Sequence, residues 1–432
     1  MRERELANSD GVDRILSRDG FSPELPAVLA PSGRIPLSLR GLLYMLGGLR
    51  VGSLDVILPG GHSRQFRGSE PGPHGVLEVR SKRLAGHVLR GGEVGFGEAY
   101  MAGCWDSPDL TRLLMVLYLN EPHLRGPYEK NILGRFIGWL GHQRRANTRS
   151  GSRENIEYHY DLGNAFYKLW LDDSMAYSSA MFDRRAGAPM PSEQSLHAAQ
   201  LEKFRLMLER LDLRAEHHLL EIGSGWGGFA IYAAQQTGCR VTSVTLSSEQ
   251  LAEARHRAAA AGVADRVQFE LRDYRDIDQR YDRVVSIEMY EAVGERFWPG
   301  YFETIHRTLK PGGRAAIQGI TINPAIFETY RGKRDFIQKY IFPGGMLCPP
   351  GRFQDLAYAA GLQPEQPSFY GSDYADTLAH WHRGVLAQRD AIVDQFDHRF
   401  LRMWRYYLAY CECGFRTGSI DLMHITLQRP AR

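Results

Sequence analysis

Short apolar runs alternate with longer amphipathic stretches through the second half of this 432-residue chain. The run Leu219-Leu220-Glu221-Ile222 ends in a glycine-rich turn, Gly223-Ser224-Gly225-Trp226-Gly227-Gly228, and helix-like sequence follows from Phe229. Arg240 to Ser247, Arg266 to Asp273, and Tyr281 to Ile287 read as the second, third and fourth strands. After Lys310-Pro311-Gly312-Gly313, the stretch Arg314 to Ile322 reads as the fifth. Between them lie helical stretches such as Ser248 to Ala261, rich in Ala, Glu, Gln and Arg. This alternation predicts an α/β fold: a doubly wound, Rossmann-like, mostly parallel sheet. Ligands of such sheets sit outside the carboxyl ends of the strands. Gly223–Gly228, Thr245–Gln250, Asp273-Tyr274 and Glu288–Gly294 all fall at those ends.

The pattern divides the rest of the chain. Residues 1–35 are polar and contain proline. Residues 36–120 read as a smaller α+β unit, with strands at Asp55–Leu58 and Gly75–Val79 and a helical portion from Gly95 that becomes leucine-rich. The connector 121–153 is basic, and Ile132, Leu133, Phe136, Ile137 and Leu140 lie at helical spacing within it. Such a helix can settle on an anionic membrane surface or pack as a linker on its own protein. Residues 154–432 form the large unit. Its helix from about Glu193 to Leu211 places Leu201, Phe204, Leu208 and Leu211 on one face, toward the sheet. An insertion, 323–380, starts with an aromatic-rich part (Phe327, Tyr330, Phe336, Tyr340, Phe342) that either roofs a site or lines a tunnel for an apolar chain, or else fills a core. A helix with Trp404, Tyr406, Tyr407 and Tyr410 and a strand from Ile420 to Leu427 close the fold.

Composition narrows the field. A formal charge of +3 is too small for bulk nucleic-acid binding. The five cysteines show neither metal-ligand nor disulfide spacing, which points to a reducing cytoplasm. The charged N-terminus lacks a signal-peptide core. No run approaches the ~20 apolar residues that span a bilayer. Membrane contact is therefore expected to be peripheral, at the inner face.

The glycine turn lets backbone N–H groups approach a ligand at a helix N-terminus. It reads G-S-G-W-G-G, and no acidic residue closes the second strand, which argues against a nicotinamide dehydrogenase. Further motifs decide the reading. Tyr158-His159-Tyr160-Asp161-Leu162-Gly163-Asn164, Met175-Ala176-Tyr177-Ser178-Ser179-Ala180-Met181-Phe182, Thr245-Leu246-Ser247 with Gln250, and Met289-Tyr290-Glu291-Ala292-Val293-Gly294 occur in order. Tyr340-Ile341-Phe342-Pro343-Gly344-Gly345 and Asp373-Tyr374 with Thr377-Leu378 and Trp381 follow. Over about residues 85 to 430 the chain resembles the cyclopropane-fatty-acyl-phospholipid synthases, class I S-adenosylmethionine-dependent methyltransferases.

The resemblance implies transfer of a one-carbon unit from S-adenosylmethionine to the double bond of a phospholipid acyl chain at a membrane surface. The expected product is a cyclopropane; a methylene- or methyl-branched chain is the first alternative. Methylation of a soluble small molecule is another, and a lipid-binding or donor-sensing protein without catalysis a fourth. For the small N-terminal unit the resemblance implies lipid docking or homodimer formation. It places Gly223, Gly225, Gly227, Tyr177 and Ser178 around the methionine moiety, and Thr245, Gln250 and Tyr274 around ribose and adenine. No metal is expected.

An alkene attacking a sulfonium methyl group leaves positive charge on carbon, which aromatic faces stabilise. Tyr177, Tyr290, Phe342 and Tyr374 are the candidates. A base must then remove a proton, and the resemblance implies that a bound bicarbonate ion serves. Its implied site is Glu291, the Tyr374 hydroxyl and the Ile320 N–H, with Ser179 and Gln318 where the family often has Cys and His. Gln318 can donate to an anion but cannot take up a proton. That departure puts the outcome of deprotonation in question.

Overall fold

The computed structural model describes residues 35–124 and 162–431. The polar N-terminal segment before Ile35, the connector beyond Leu124 and the Tyr158–Asp161 part of the first motif lie outside these residues.

The small unit holds a four-stranded sheet in the order β2-β1-β3-β4. β1 (Val51–Ile57), β2 (Ser63–Arg67), β3 (Glu70–Val79) and β4 (Trp105–Asp106) include two strands, β2 and the two-residue β4, that sequence reading passed over. β2 is a charged edge strand, largely exposed, so it carries no apolar alternation to detect. β1 alternates instead, burying Leu54 and Val56. A helix, Arg83–Met101, starts well before Gly95 and bends at Gly92, whose φ of 54° no ordinary helical residue adopts. The next helix, Leu110–Leu119, is capped by Asp109, which accepts from the Arg112 N–H, and lies so close to the sheet that a Cβ on Gly75 would meet Leu113 Cα at 3.1 Å.

The large unit is built on an eight-stranded sheet. β5 (His218–Ile222), β6 (Arg240–Thr245), β7 (Val267–Leu271), β8 (Tyr281–Ile287) and β9 (Leu309–Ile322) are parallel. β12 (Ile420–Gln428) pairs antiparallel with β9, and two-residue strands β10 (Gln363–Pro364) and β11 (Ser368–Phe369) pair with β12. The order β7-β6-β5-β8-β9-β12 reverses direction of winding between β5 and β8. That switch point opens a crevice at the strand ends. Leu219 to Ile222 are buried throughout, as expected for a strand covered on both faces.

The two units meet along the helix His398–Arg416, which packs on both Arg83–Met101 and Leu110–Leu119. Arg402 fixes the junction, donating to the Tyr100 and Trp105 carbonyls and pairing with Asp106 at 3.0 Å. The insertion supplies helices Pro324–Arg331, Phe336–Tyr340 and Pro350–Ala359. Both readings of its aromatics hold in part: Phe327 and Phe336 are buried in cores, whereas Tyr330 and Phe342 face a cavity.

Candidate active site

A cavity of about 2330 Å3 starts at the switch point and runs beneath the insertion to the small unit. It exceeds the ~300–1,000 Å3 of an ordinary small-molecule site. Gly223, Gly225, Tyr177, Ser178, Thr245, Gln250 and Tyr274 line its sheet end. Gly225 has φ 48°, and a Cβ added there would meet no protein atom within 4 Å. It would project into space left for a ligand. Gly227 is different: it does not line the cavity, and its added Cβ would meet Phe269 at 2.9 Å and Ala254 at 3.0 Å. The sequence expectation of a cofactor contact is corrected at this residue. Gly227 lets the helix Gly228–Thr237 pack closely on its neighbours.

Ser247 caps the helix Ser248–Ala260, which brings the Gln250 side chain to 3.0 Å from Thr245 Oγ1. Asp273 caps the turn carrying Tyr274 and pairs with Arg275 at 2.6 Å, leaving the Tyr274 ring on the cavity wall. The cradle, the buried hydroxyls and the flat ring fit S-adenosylmethionine: backbone and Ser178 for its amino-acid end, Thr245 and Gln250 for ribose, Tyr274 for adenine.

The aromatic candidates separate. Tyr177, Phe342 and Tyr374 line the cavity. Tyr290 does not; it is packed against Trp298, Tyr301, Phe302 and Phe353 in the core, so its expected role at the cation is withdrawn. Tyr407, not singled out from sequence, faces the cavity, and its hydroxyl meets that of Tyr177 at 2.7 Å.

The centre of the site is a residue that sequence reasoning missed. Glu288 follows β8 with φ 51°, a strained conformation for a non-glycine residue. Its N–H is held by the Gln318 carbonyl at 2.8 Å. Its carboxylate accepts from the Ser179 N–H at 2.8 Å, from Gln318 Nε2 at 2.7 Å and from the Tyr374 hydroxyl at 2.6 Å. Gln318 is oriented from the adjacent strand, where His424 Nε2 donates to its Oε1 at 2.7 Å. Burial pushes His424 down to about 3, so its ring is neutral. Glu291 accepts the Ile320 N–H at 2.5 Å. Burial, then the charge of Glu288, raises its carboxyl to about 8, so it is protonated at neutral pH. Burial also raises Glu288, while its three donors pull it back down. The three donors favour the charged form at Glu288 over Glu291, which receives one.

This geometry bears directly on the implied bicarbonate ion. Ser179, Gln318 and Tyr374 were expected to hold it, yet all three donate to Glu288, and neither Ser179 nor Gln318 lines the cavity. A second anion there would have to displace a carboxylate and sit beside Glu291. The residues present do not fit bicarbonate at these donors. The signal for Glu288 was in the sequence: two glutamates three apart, Glu288 and Glu291, at the end of a strand in a Rossmann-like sheet.

A glycine cradle at the switch point, beside a buried carboxylate pair in a large apolar cavity, marks a class I S-adenosylmethionine-dependent methyltransferase. The family described as mycolic acid cyclopropane synthetase matches residues 147–425. The chain belongs to this family. It is 41% identical over 370 residues to the tuberculostearic acid methyltransferase UfaA1 of Mycobacterium tuberculosis, covering 84% of each chain. It is 32% identical over 357 residues to the cyclopropane-fatty-acyl-phospholipid synthase of Escherichia coli, covering 82% of this chain and 87% of that one. Among solved structures, the mycolic acid cyclopropane synthase CmaA1 complexed with SAH and CTAB is 29% identical, with a TM-score of 0.60, and the match covers 64% of this chain and 98% of that one.

Proposed function

We propose that this enzyme methylates the double bond of an unsaturated phospholipid acyl chain and releases a methylene-branched chain, with Glu288 as the base. S-adenosylmethionine, when bound, would supply the electrophilic methyl group, its sulfur–methyl bond breaking with the electron pair kept on sulfur and S-adenosylhomocysteine left behind. The remaining work falls to the chain. As the new carbon–carbon bond forms, positive charge appears on the acyl chain, and the Glu288 carboxylate with the rings of Tyr177, Tyr374 and Phe342 stabilises it. A hydride shift brings that charge to the carbon bearing the new methyl group. Glu288 then takes a proton from the new methyl group, and the C–H electrons form the carbon–carbon double bond of a methylene branch.

The observation that carries this reading is the seat of Glu288. Three donors fix its carboxylate, so the base is a side chain of set position, where the cyclopropane pattern implies a separate ion. The likeness to a tuberculostearic acid methyltransferase supports a branched product over a cyclopropane. The acyl chain is taken up against the apolar part of the cavity wall, to which Leu114 and Leu117 of the small unit and Ile326 and Ile337 of the insertion contribute. Among the described residues no helix is long and apolar enough to cross a membrane.

The test is mass spectrometry of mono-unsaturated phospholipid vesicles incubated with enzyme and S-adenosylmethionine. A gain of one CH2 unit that takes up hydrogen under mild catalytic hydrogenation supports the reading. A product inert to hydrogenation is a cyclopropane and defeats it, and no gain on any unsaturated lipid defeats lipid methylation itself.

A further inference from the structure

The helix Leu196–Leu211 carries a lysine that the chemistry above does not use. Lys203 is completely buried. Its Nζ donates to Ser178 Oγ at 2.6 Å and lies 4.7 Å from the centre of the Phe204 ring. Among the described residues no carboxylate forms an ion pair with it within 4.0 Å. Three carboxylates act on it from further away: Glu288 after β8, Asp172 in the segment before the first strand of the large sheet, and Glu221 in β5. Each is engaged elsewhere. Glu288 holds its three donors, Asp172 binds His197 and Ser174, and Glu221 accepts from Ser243. Burial lowers the lysine to about 8, which still leaves it charged at neutral pH.

A buried ammonium without a matching anion is costly, and few chains keep one unless something answers it. Its hydrogen-bond acceptor among the described residues, Ser178, lines the same cavity as Gly223 and Ser224. Because Ser178 accepts from the lysine, its own hydroxyl proton is free to donate into the cavity. An anion at that point would gain a polarised hydroxyl backed by a full positive charge in a poorly screened site.

We propose that Lys203 is a positioning residue for the methyl donor, holding the carboxylate of the donor's amino-acid end through Ser178. This rests on the cavity being the S-adenosylmethionine site. It explains why the lysine tolerates burial and why it points at a hydroxyl rather than at a carboxylate of its own chain.

The experiment compares two ligands by calorimetry: S-adenosylhomocysteine, which has the amino-acid end, and 5′-methylthioadenosine, which lacks it. Lys203→Met should weaken S-adenosylhomocysteine about 10- to 100-fold, the size of a lost charge-assisted hydrogen bond, and leave 5′-methylthioadenosine within about twofold. Ser178→Ala should show the same selectivity, and Lys203→Arg should restore part of the loss. In the wild type, the preference for S-adenosylhomocysteine should fall as pH rises past about 8 and the ammonium is lost, relative to Lys203→Met. Equal weakening of both ligands would mean a purely structural lysine and overturn the proposal, as would unaltered binding of S-adenosylhomocysteine. A wild type that binds neither ligand would instead overturn the methyl-donor site on which it rests.

Discussion

Replacing Glu288 by Gln removes the proposed base with almost no change of shape. In the folded protein Oε1 accepts two hydrogen bonds and Oε2 one, from Tyr374. With the amide NH2 turned toward Tyr374, the retained oxygen still accepts from Ser179 and Gln318. The Tyr374 hydroxyl can then rotate and accept. The structural cost is roughly 1 kcal/mol or less, offset by relief of a buried charge. The catalytic cost is larger. An amide cannot take the proton, and a positioned general base contributes about 10²–10⁴-fold, or roughly 3–5 kcal/mol of barrier. Glu288→Gln should therefore fold, bind S-adenosylhomocysteine within about twofold of wild type, and lose about a thousandfold in kcat. The assay is product formation by mass spectrometry beside calorimetric binding. Glu288→Ala adds a second arm: it empties the carboxylate's place, so added formate or bicarbonate should restore part of the rate. Retention of more than about a tenth of wild-type kcat by Glu288→Gln would refute the assignment. So would a wild type that turns over only when bicarbonate is supplied.

Other outcomes follow from the same geometry. Glu288 must be ionised to act, and burial raises it above 4.5, so kcat/KM should fall on the acid side at a pH above that value. An acid limb centred at or below 4.5 would argue against the buried base. Glu291 is raised to about 8 in the folded state, so the unfolded chain binds fewer protons between 4.5 and about 8. Stability should be fullest below 4.5 and decline as pH rises through about 8; Tm measured from pH 5 to 9 should decline less in Glu291→Gln. Gly225→Val should abolish detectable S-adenosylhomocysteine binding, because its side chain fills ligand space at a φ of 48°; normal affinity would show that the donor lies elsewhere. Gly227→Ala should lower Tm, by the equivalent of about 1–3 kcal/mol for overpacking at a positive φ, yet leave affinity in the folded fraction intact.

The periodic parts of this chain were legible without coordinates. Tyr281–Ile287 is a strand with the bounds its apolar run suggests, and Ser248–Ala260 is a helix one residue shorter than its pattern. The helix Arg83–Met101 was seen late because Gly91 and Gly92 interrupt its periodicity, and β2 was passed over because an exposed polar edge strand has no buried face to reveal it. Thr245, Gln250 and Tyr274, read from strand ends, line one cavity with Tyr177 and Ser178, which the resemblance alone suggested.

What sequence could not assign was the role of residues whose function is set by a partner far along the chain. Tyr374 and Glu288 are 86 positions apart, Ser179 and Glu288 109, and His424 and Gln318 106. Which glutamate is charged depends on which receives the donors, and these come from β9 with Gln318, from the segment carrying Ser179 and from the helix Gly371–Ala387 with Tyr374. Local patterns determine where strands and helices form, because burial repeats along the chain with the period of each element. They leave electrostatics open, since a carboxylate's charge depends on burial and on donors that only the folded chain brings within reach.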